Sequence, residues 1–258
     1  MLPVRSLCVM AVTAALLGAA CGSSAKTGPS TGTTKLTGSI TVLGASSLTT
    51  SFTALAKDFE AAHPGTTIDL SFGSSSDLEQ SIEQGAPADV FASADQKNMT
   101  KLVAAGDNSG KAVDFAKNRL EIAVEKGNPE HIVTLKDLTE PGLTVVLCDS
   151  SAPCGKYAAQ VLDNAKVTLT PKSLEANVKA TLSKVELGEA DAAIVYVTDV
   201  ASSDKVDGVK ISDNVNVLTT LPIVALKDSK NSTLAKGWVD YVAAHQSELV
   251  NKYGFLPL

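Results

Sequence analysis

Two short stretches hold the residue types from which a binding site could be built. Residues 41–52 read TVLGASSLTTSF, and residues 69–91 read DLSFGSSSDLEQSIEQGAPADVF. Each sets a serine cluster, Ser46-Ser47 and Ser74-Ser75-Ser76, between an apolar run and a helix-like run. A third polar stretch, DSSAPC at residues 149–154, follows another apolar run. A serine at such a boundary can cap the helix through its hydroxyl. It also stands beside the free N–H groups and positive partial charge of a helix N-terminus, where an anion is stabilised. One such boundary would mean nothing, but three exceed what capping alone requires. Arginine occurs only at Arg5 and Arg119. An anion site in this chain must therefore be made mostly from lysine, hydroxyls or backbone N–H groups.

Enzyme signatures are present only as fragments. Ser23-x-x-Lys26, Lys26-Thr27-Gly28 and Ser212-Asp213-Asn214 reproduce the three short signatures of serine β-lactamases. Two of them share Lys26 and the chain order is wrong, so they cannot form one catalytic centre. There is no G-x-S-x-G elbow and no Gly-rich phosphate loop. His63, His131 and His245 stand alone, with no H-x-x-x-H or Cys/His cluster, and read as surface histidines. No catalysis, resident metal or cofactor is expected. The net charge of −6 argues against a nucleic-acid partner.

The elements that must position these residues alternate along the chain. Strands are predicted at 39–43, 66–72, 88–92, 120–124, 143–147, 192–197 and 222–226. A helix is predicted at 48–62, with Leu48, Phe52, Leu55 and Phe59 on one face. A short helix at 77–84 follows Ser76 as N-cap, with Glu79 completing a capping box and Gly85 as its stop. A single closing helix at 233–253 carries a stripe of Leu234, Trp238, Tyr241 and Val242. Alternation of this kind predicts an α/β fold with mostly parallel sheets covered on both faces. In such sheets ligands bind outside the carboxyl ends of the strands, where the polar stretches fall.

The first twenty residues are predicted to be an export signal. Arg5 is a thin positive region, and residues 7–20 (LCVMAVTAALLGAA) form an apolar run too short to span a bilayer. Cys21 follows small residues, in a setting that resembles a lipoprotein signal in which the cysteine is acylated, although Gly18 stands where a leucine is usual. Ordinary secretory cleavage after Ala20 is the alternative. Residues 21–38, with their Gly, Ser, Thr and Pro, read as the lipidated cysteine and a flexible tether.

The segments GASSLTTSFTALAKDFEAAHPG, SFGSSSDLEQSIEQGAPADVFASADQKNM, AAIVYVTDV and NKYGF, in that order, resemble the molybdate-binding proteins of ABC importers. The resemblance runs from about residue 39 to 258. It implies a type II periplasmic binding protein fold, with two lobes at 39–119 plus 222–258 and at 124–218. The chain would cross between them near 119–124 and again near 217–223. It implies an oxyanion, molybdate or tungstate, held in the cleft without a positive side chain. The implied donors are the hydroxyls of Ser47 and Ser75, the backbone N–H groups of Cys154 and Val178, and the hydroxyl of Tyr196. Ser46 and Ser74 remain open as replacements for their neighbours, and Cys154 stands where a smaller residue is usual. The implied partner is a membrane permease, and the implied form a monomer, lipid-anchored on the outer face of the cell membrane. Sulfate, thiosulfate, phosphate and ferric ion are the rival ligands, with sulfate the closest in charge and shape. A DNA-binding regulator on the same fold would need a helix-turn-helix, and an export signal occupies that end instead.

Cys148 and Cys154 are the only cysteines beyond the export segment and Cys21. Six residues apart, at a strand end and a helix start in an oxidising compartment, they are expected to pair. Two buried small residues are the alternative.

Overall fold

The computed structural model describes residues 35–258. The predicted export segment, Cys21 and the tether up to residue 34 lie outside the described residues. Strand β1 (Gly38–Ala45) leads through a short 3-10 turn at Ser46–Leu48 into helix α1 (Thr49–Ala62). Strand β2 (Thr66–Gly73) leads into α2 (Ser75–Glu83), and β3 (Val90–Ala92) into α3 (Gln96–Ala105). The long β4 (Asn108–Glu125) is followed by β5 (Val145–Cys148), α4 (Pro153–Asn164), β6 (Ser173–Glu175) and α5 (Val178–Glu186). Then come β7 (Ala192–Tyr196), α6 (Val197–Ala201) and β8 (Val206–Lys210). Strand β9 (Leu218–Leu226) returns, and α7 (Ser232–Ala244) and α8 (Gln246–Tyr253) close the chain.

The strands form one mixed sheet in the order β2-β1-β3-β9-β4-β7-β5-β6, with β8 paired to β4. The pairs β1–β2, β1–β3, β5–β6 and β5–β7 are parallel. Every antiparallel pair contains β4 or β9. The parallel character read from the alternation of elements is thus confined to the outer strands. The two central strands run against their neighbours because they carry the chain from one half of the molecule to the other.

The buried side chains make this division visible. One apolar cluster contains only residues between Leu120 and Ile211. The other two contain only residues between Ile40 and Ala116 and between Leu221 and Phe255. In the first half α1 buries Phe52, Leu55, Ala56 and Phe59, the 3–4 spacing of one helical face. Against them lies Trp238 of α7, edge-on to Phe52 and Phe59 at 5.8 and 5.5 Å and stacked on Tyr241 at 5.9 Å. Aromatic pairs of this geometry each contribute about 0.5–1.5 kcal/mol beyond their area burial.

The chain leaves the first half after Ala116 and enters the second at Leu120, and it returns between Val217 and Leu221. At the passage β4 and β9 stay paired, Asn118 opposite Thr219 and Arg119 opposite Leu218. Asn216 clamps the crossing: its Oδ1 accepts from the Leu120 N–H at 3.2 Å and its Nδ2 donates to the Leu120 carbonyl at 2.8 Å. Buried Asn118 donates from Nδ2 to Thr198 Oγ1 at 2.8 Å, tying β4 to α6.

Several details differ from the sequence expectation, among them strands β6 and β8, which the alternation did not predict. The packed fold takes in residues 36–38, assigned by composition to the tether: Leu36 packs on the first-half core and Asn231 donates to the Thr37 carbonyl at 2.8 Å. Helix α2 starts at Ser75, so Ser76 is not its N-cap, and Ser76 Oγ instead donates to the Ser151 carbonyl at 2.7 Å. Glu79, the expected capping-box partner, is fully buried and faces Lys101 at 3.3 Å. The closing helix is interrupted at His245. The His245 ring Nδ1 bonds the Tyr241 carbonyl at 2.7 Å, the acceptor that a continuing helix would use, and the His245 N–H turns to Val242 instead. Nor are all three histidines loose on the surface, since His63 and His245 are half-buried against Phe59 and Tyr241.

Candidate anion-binding site

The loops that follow the strands converge on one small cavity between the halves. From the first half come Ala45, Ser46 and Ser47 at the end of β1, Gly73, Ser74 and Ser75 at the end of β2, and Ala94 after β3. From the second come Ala152, Pro153 and Cys154 after β5, Asn177 and Val178 at the start of α5, and Tyr196 at the end of β7. All five residues singled out as donors, Ser47, Ser75, Cys154, Val178 and Tyr196, line this one space. Its volume is about 10 Å³, the room of about one water-sized sphere. None of the described residues that line it is charged.

The hydroxyls in the wall differ in how they are satisfied. Ser47 Oγ, Ser74 Oγ and Tyr196 Oη are buried with no hydrogen-bond partner. Each such group costs roughly 1–3 kcal/mol unless something answers it. Ser75 Oγ accepts the Ala94 N–H at 3.0 Å. That bond occupies a lone pair and leaves the Ser75 proton free to point into the cavity. Burial pushes the Tyr196 phenol well above its ordinary value, so it stays a protonated donor.

The backbone donors arise from the way two helices begin. Helix α4 has Pro153 in its first turn, which carries no N–H, so Cys154 is the first residue of the helix able to donate. In α5, Asn177 is the N-cap, and its Oδ1 accepts the Ala180 N–H at 3.1 Å. The cap thus satisfies the third helical residue and leaves the Val178 N–H, at the first, without an intrahelical acceptor.

Cys148 and Cys154 are joined by a disulfide, with Cα atoms 5.8 Å apart. The bond ties the end of β5 to the first turn of α4, the turn that carries the Cys154 N–H. Gly155 is required beside it, because a Cβ there would come within 2.1 Å of the Asp149 carbonyl oxygen.

Tyr196 is held in turn. Its N–H donates to Asp199 Oδ2 at 3.0 Å, and Asp199 is buried at the start of α6. Burial pushes the Asp199 carboxyl up to about 7, only partly offset by the bond from Tyr196 and the Lys179 charge. Sequence reading missed several parts of this wall. Ser74 was visible as a neighbour in the same cluster, whereas Ala94 and Asn177 carry no signal until the chain folds.

A family model described as bacterial extracellular solute-binding protein matches residues 40–256. The molybdate-binding protein ModA of Mycobacterium tuberculosis is 38% identical over 238 residues, 92% of this chain and 91% of that protein. Among solved structures, the periplasmic molybdate-binding protein of Azotobacter vinelandii superposes with a TM-score of 0.74 at 21% identity. That match covers 85% of this chain and 99% of that one. The sulfate-binding protein SubI of Mycobacterium tuberculosis superposes with 0.73 at 20% identity, over 85% and 87% of the two chains. The two structures share the fold with this chain to the same degree, so the fold alone does not choose between their ligands.

Asp199 gives the site a testable pH signature. Its folded value near 7 lies above the ordinary 3.8, so between those values the folded state holds a proton that the unfolded state has released. Stability from this group is therefore present below about pH 4 and is lost as pH rises towards 7, a change on the order of a few kcal/mol. Thermal melts of wild type and Asp199→Asn from pH 4.5 to 7.5 should show a smaller decline in the variant. Parallel curves would mean that Asp199 does not titrate in this window.

Proposed function

This chain belongs to the bacterial extracellular solute-binding protein family, and on that premise we propose that it captures molybdate, or tungstate, and delivers it to the permease of an ABC importer. The observation that carries the reading is the wall of the cavity. It offers hydroxyl and N–H donors from both halves and holds neither a carboxylate nor a cation among the described residues. A fully deprotonated dianion accepts from every side, and only donors suit it. Phosphate, mostly monoprotonated near pH 7, would need an acceptor for its proton, and the wall has no carboxylate to supply one. The 38% identity to a protein named for molybdate supports the same ligand.

In this reading Ser47, Ser75 and Tyr196 donate through their hydroxyls, and Cys154 and Val178 through their backbone. Charge-assisted bonds contribute about 1.5–3 kcal/mol each, and five of them offset much of the cost of dehydrating a dianion. The reading divides the chain into lobes at 39–119 with 222–258 and at 124–218, hinged at β4 and β9. Because each lobe supplies donors, the lobes close on the anion and no bond of the anion is made or broken. In this reading the protein carries the anion without catalysis, and it works as a monomer.

Closure also measures the ligand. Donors on opposite lobes reach about 2.7–2.9 Å from only one size of anion, and a smaller tetrahedron leaves some bonds stretched. Thermal shift of the purified domain should show a rise of several degrees with low-millimolar molybdate or tungstate, and little change with sulfate or phosphate. A ligand at a hundredfold its Kd stabilises by about 2.7 kcal/mol. A sulfate shift equal to that of molybdate would make this a sulfate binder.

The donors can be tested singly by titration calorimetry. Ser47→Ala, Ser75→Ala and Tyr196→Phe should each weaken molybdate by roughly ten- to a hundredfold. Melting without added anion should change little for Ser47→Ala, whose hydroxyl has no partner to lose, and fall by about 1–3 kcal/mol for Ser75→Ala, which strips the Ala94 N–H of its acceptor. Unchanged affinity together with a large loss of stability would assign these groups to the fold.

We further propose that Cys21 is acylated and anchors the protein outside the cell membrane, through the residues that lie before the described fold. Intact mass of the membrane-fraction protein should show the lipid, and Cys21→Ala should release the protein in soluble form. An unmodified cysteine in that fraction would remove the anchor.

A further inference from the structure

Asp95 is the buried charge nearest the cavity wall in sequence, one residue from Ala94. Its residue is 1% exposed. Oδ1 caps α3, accepting from the Asn98 N–H at 3.0 Å and from Asn98 Nδ2 at 2.9 Å. Oδ2 has no close hydrogen-bond partner, and the carboxylate faces the ammonium of Lys156, at 3.5 Å from Oδ2, and the hydroxyl of Tyr157 on the same helix. Lys156 lies on α4, two residues beyond Cys154, in the opposite half. Its ammonium also sits over the Tyr157 ring at 4.7 Å.

The segment carrying Asp95 is fixed within its own half. The Ser93 N–H donates to the Pro222 carbonyl at 2.9 Å, and Ser93 Oγ to the Asp95 carbonyl at 2.8 Å. Thr219 Oγ1 donates to the Ala94 carbonyl at 2.7 Å. These bonds hold the backbone of residues 93–95 against β9, and the carboxylate cannot turn without loss of the α3 cap. A change in the distance between the two charges therefore comes chiefly from Lys156, whose helix belongs to the second half.

We propose that Lys156 is a positioning residue whose charge cancels that of Asp95 when the halves meet, so that a dianion can be held next to a buried carboxylate. This rests on the anion-binding reading above. With the halves apart, water screens Asp95. As they meet, the carboxylate is dehydrated at the moment a second negative charge is enclosed nearby, and like charges in a poorly screened site repel strongly. Lys156 arrives in the same movement. It lines no part of the cavity, so it acts through Asp95 and leaves the donor wall neutral. The Ser76 hydroxyl donating to the Ser151 carbonyl at 2.7 Å is a second bond made across the same boundary.

The test is a double-mutant cycle on the purified domain, read by calorimetry and stopped-flow dissociation, with molybdate as probe. Lys156→Met should weaken binding by about tenfold, through faster dissociation. Lys156→Arg should keep wild-type affinity. Asp95→Asn preserves the α3 cap, and Asp95→Asn with Lys156→Met should recover most of what Lys156→Met loses, because no uncompensated charge remains. Wild-type affinity in Lys156→Met would overturn the proposal. So would a double variant as weak as Lys156→Met, which would mean that the lysine acts on the anion directly. Wild-type protein that ignores molybdate overturns the ligand reading instead, and the cycle is then run with whichever oxyanion of the panel raises its melting temperature.

Discussion

Hydroxyls buried without an acceptor are the constraint on which this structure turns. Ser47, Ser74 and Tyr196 would each be better satisfied in water, and the fold holds them around one space. Such an arrangement is stable only if the surrounding elements are rigid enough to deny the side chains a local partner. The capping geometry supplies that rigidity. Ser74 sits at the N-cap of α2 without bonding its own helix, and Ser75 Oγ, accepting the Ala94 N–H, keeps its own proton free to donate. On the other side a proline and an asparagine decide which N–H groups of α4 and α5 remain open.

The central strands have the complementary task. A single sheet runs through the molecule, yet its apolar side chains fall into separate cores on either side of residues 116–120 and 217–221. Strands β4 and β9 are paired across that junction. The closure proposed above would bend this two-stranded ribbon and spare the packed side chains on either side. The Asn216 clamp on Leu120 and the Asn118–Thr198 bond hold the ribbon in register. Hinges of this kind absorb motion in a few residues and spare the packing elsewhere.

Much of this was legible in the chain before it was folded. Apolar runs ending in serine gave the strand ends of β1 and β2, and a resemblance carried by a few motifs named five residues that share one cavity. What escaped were features that depend on distance in space. Serine clusters do not announce which hydroxyl caps and which is left free, and Ser76, the best cap on paper, instead reaches across to Ser151. Hydrophobic spacing ran unbroken through His245, because Val242 and Leu249 face one core although the backbone between them is interrupted. Asp95 and Lys156 stand on different elements in different halves, and no local pattern joins them.

The aromatic cluster of the first half has an optical consequence. Trp238 is the only tryptophan in the chain, it is fully buried, and its neighbours are the rings of Phe52, Phe59 and Tyr241. None of these rings lines the cavity. Its emission therefore reports the interior of the first half. Intrinsic fluorescence of this protein is a gauge of whether that half is packed, and a dye placed on the second half would be needed to follow the closure proposed above.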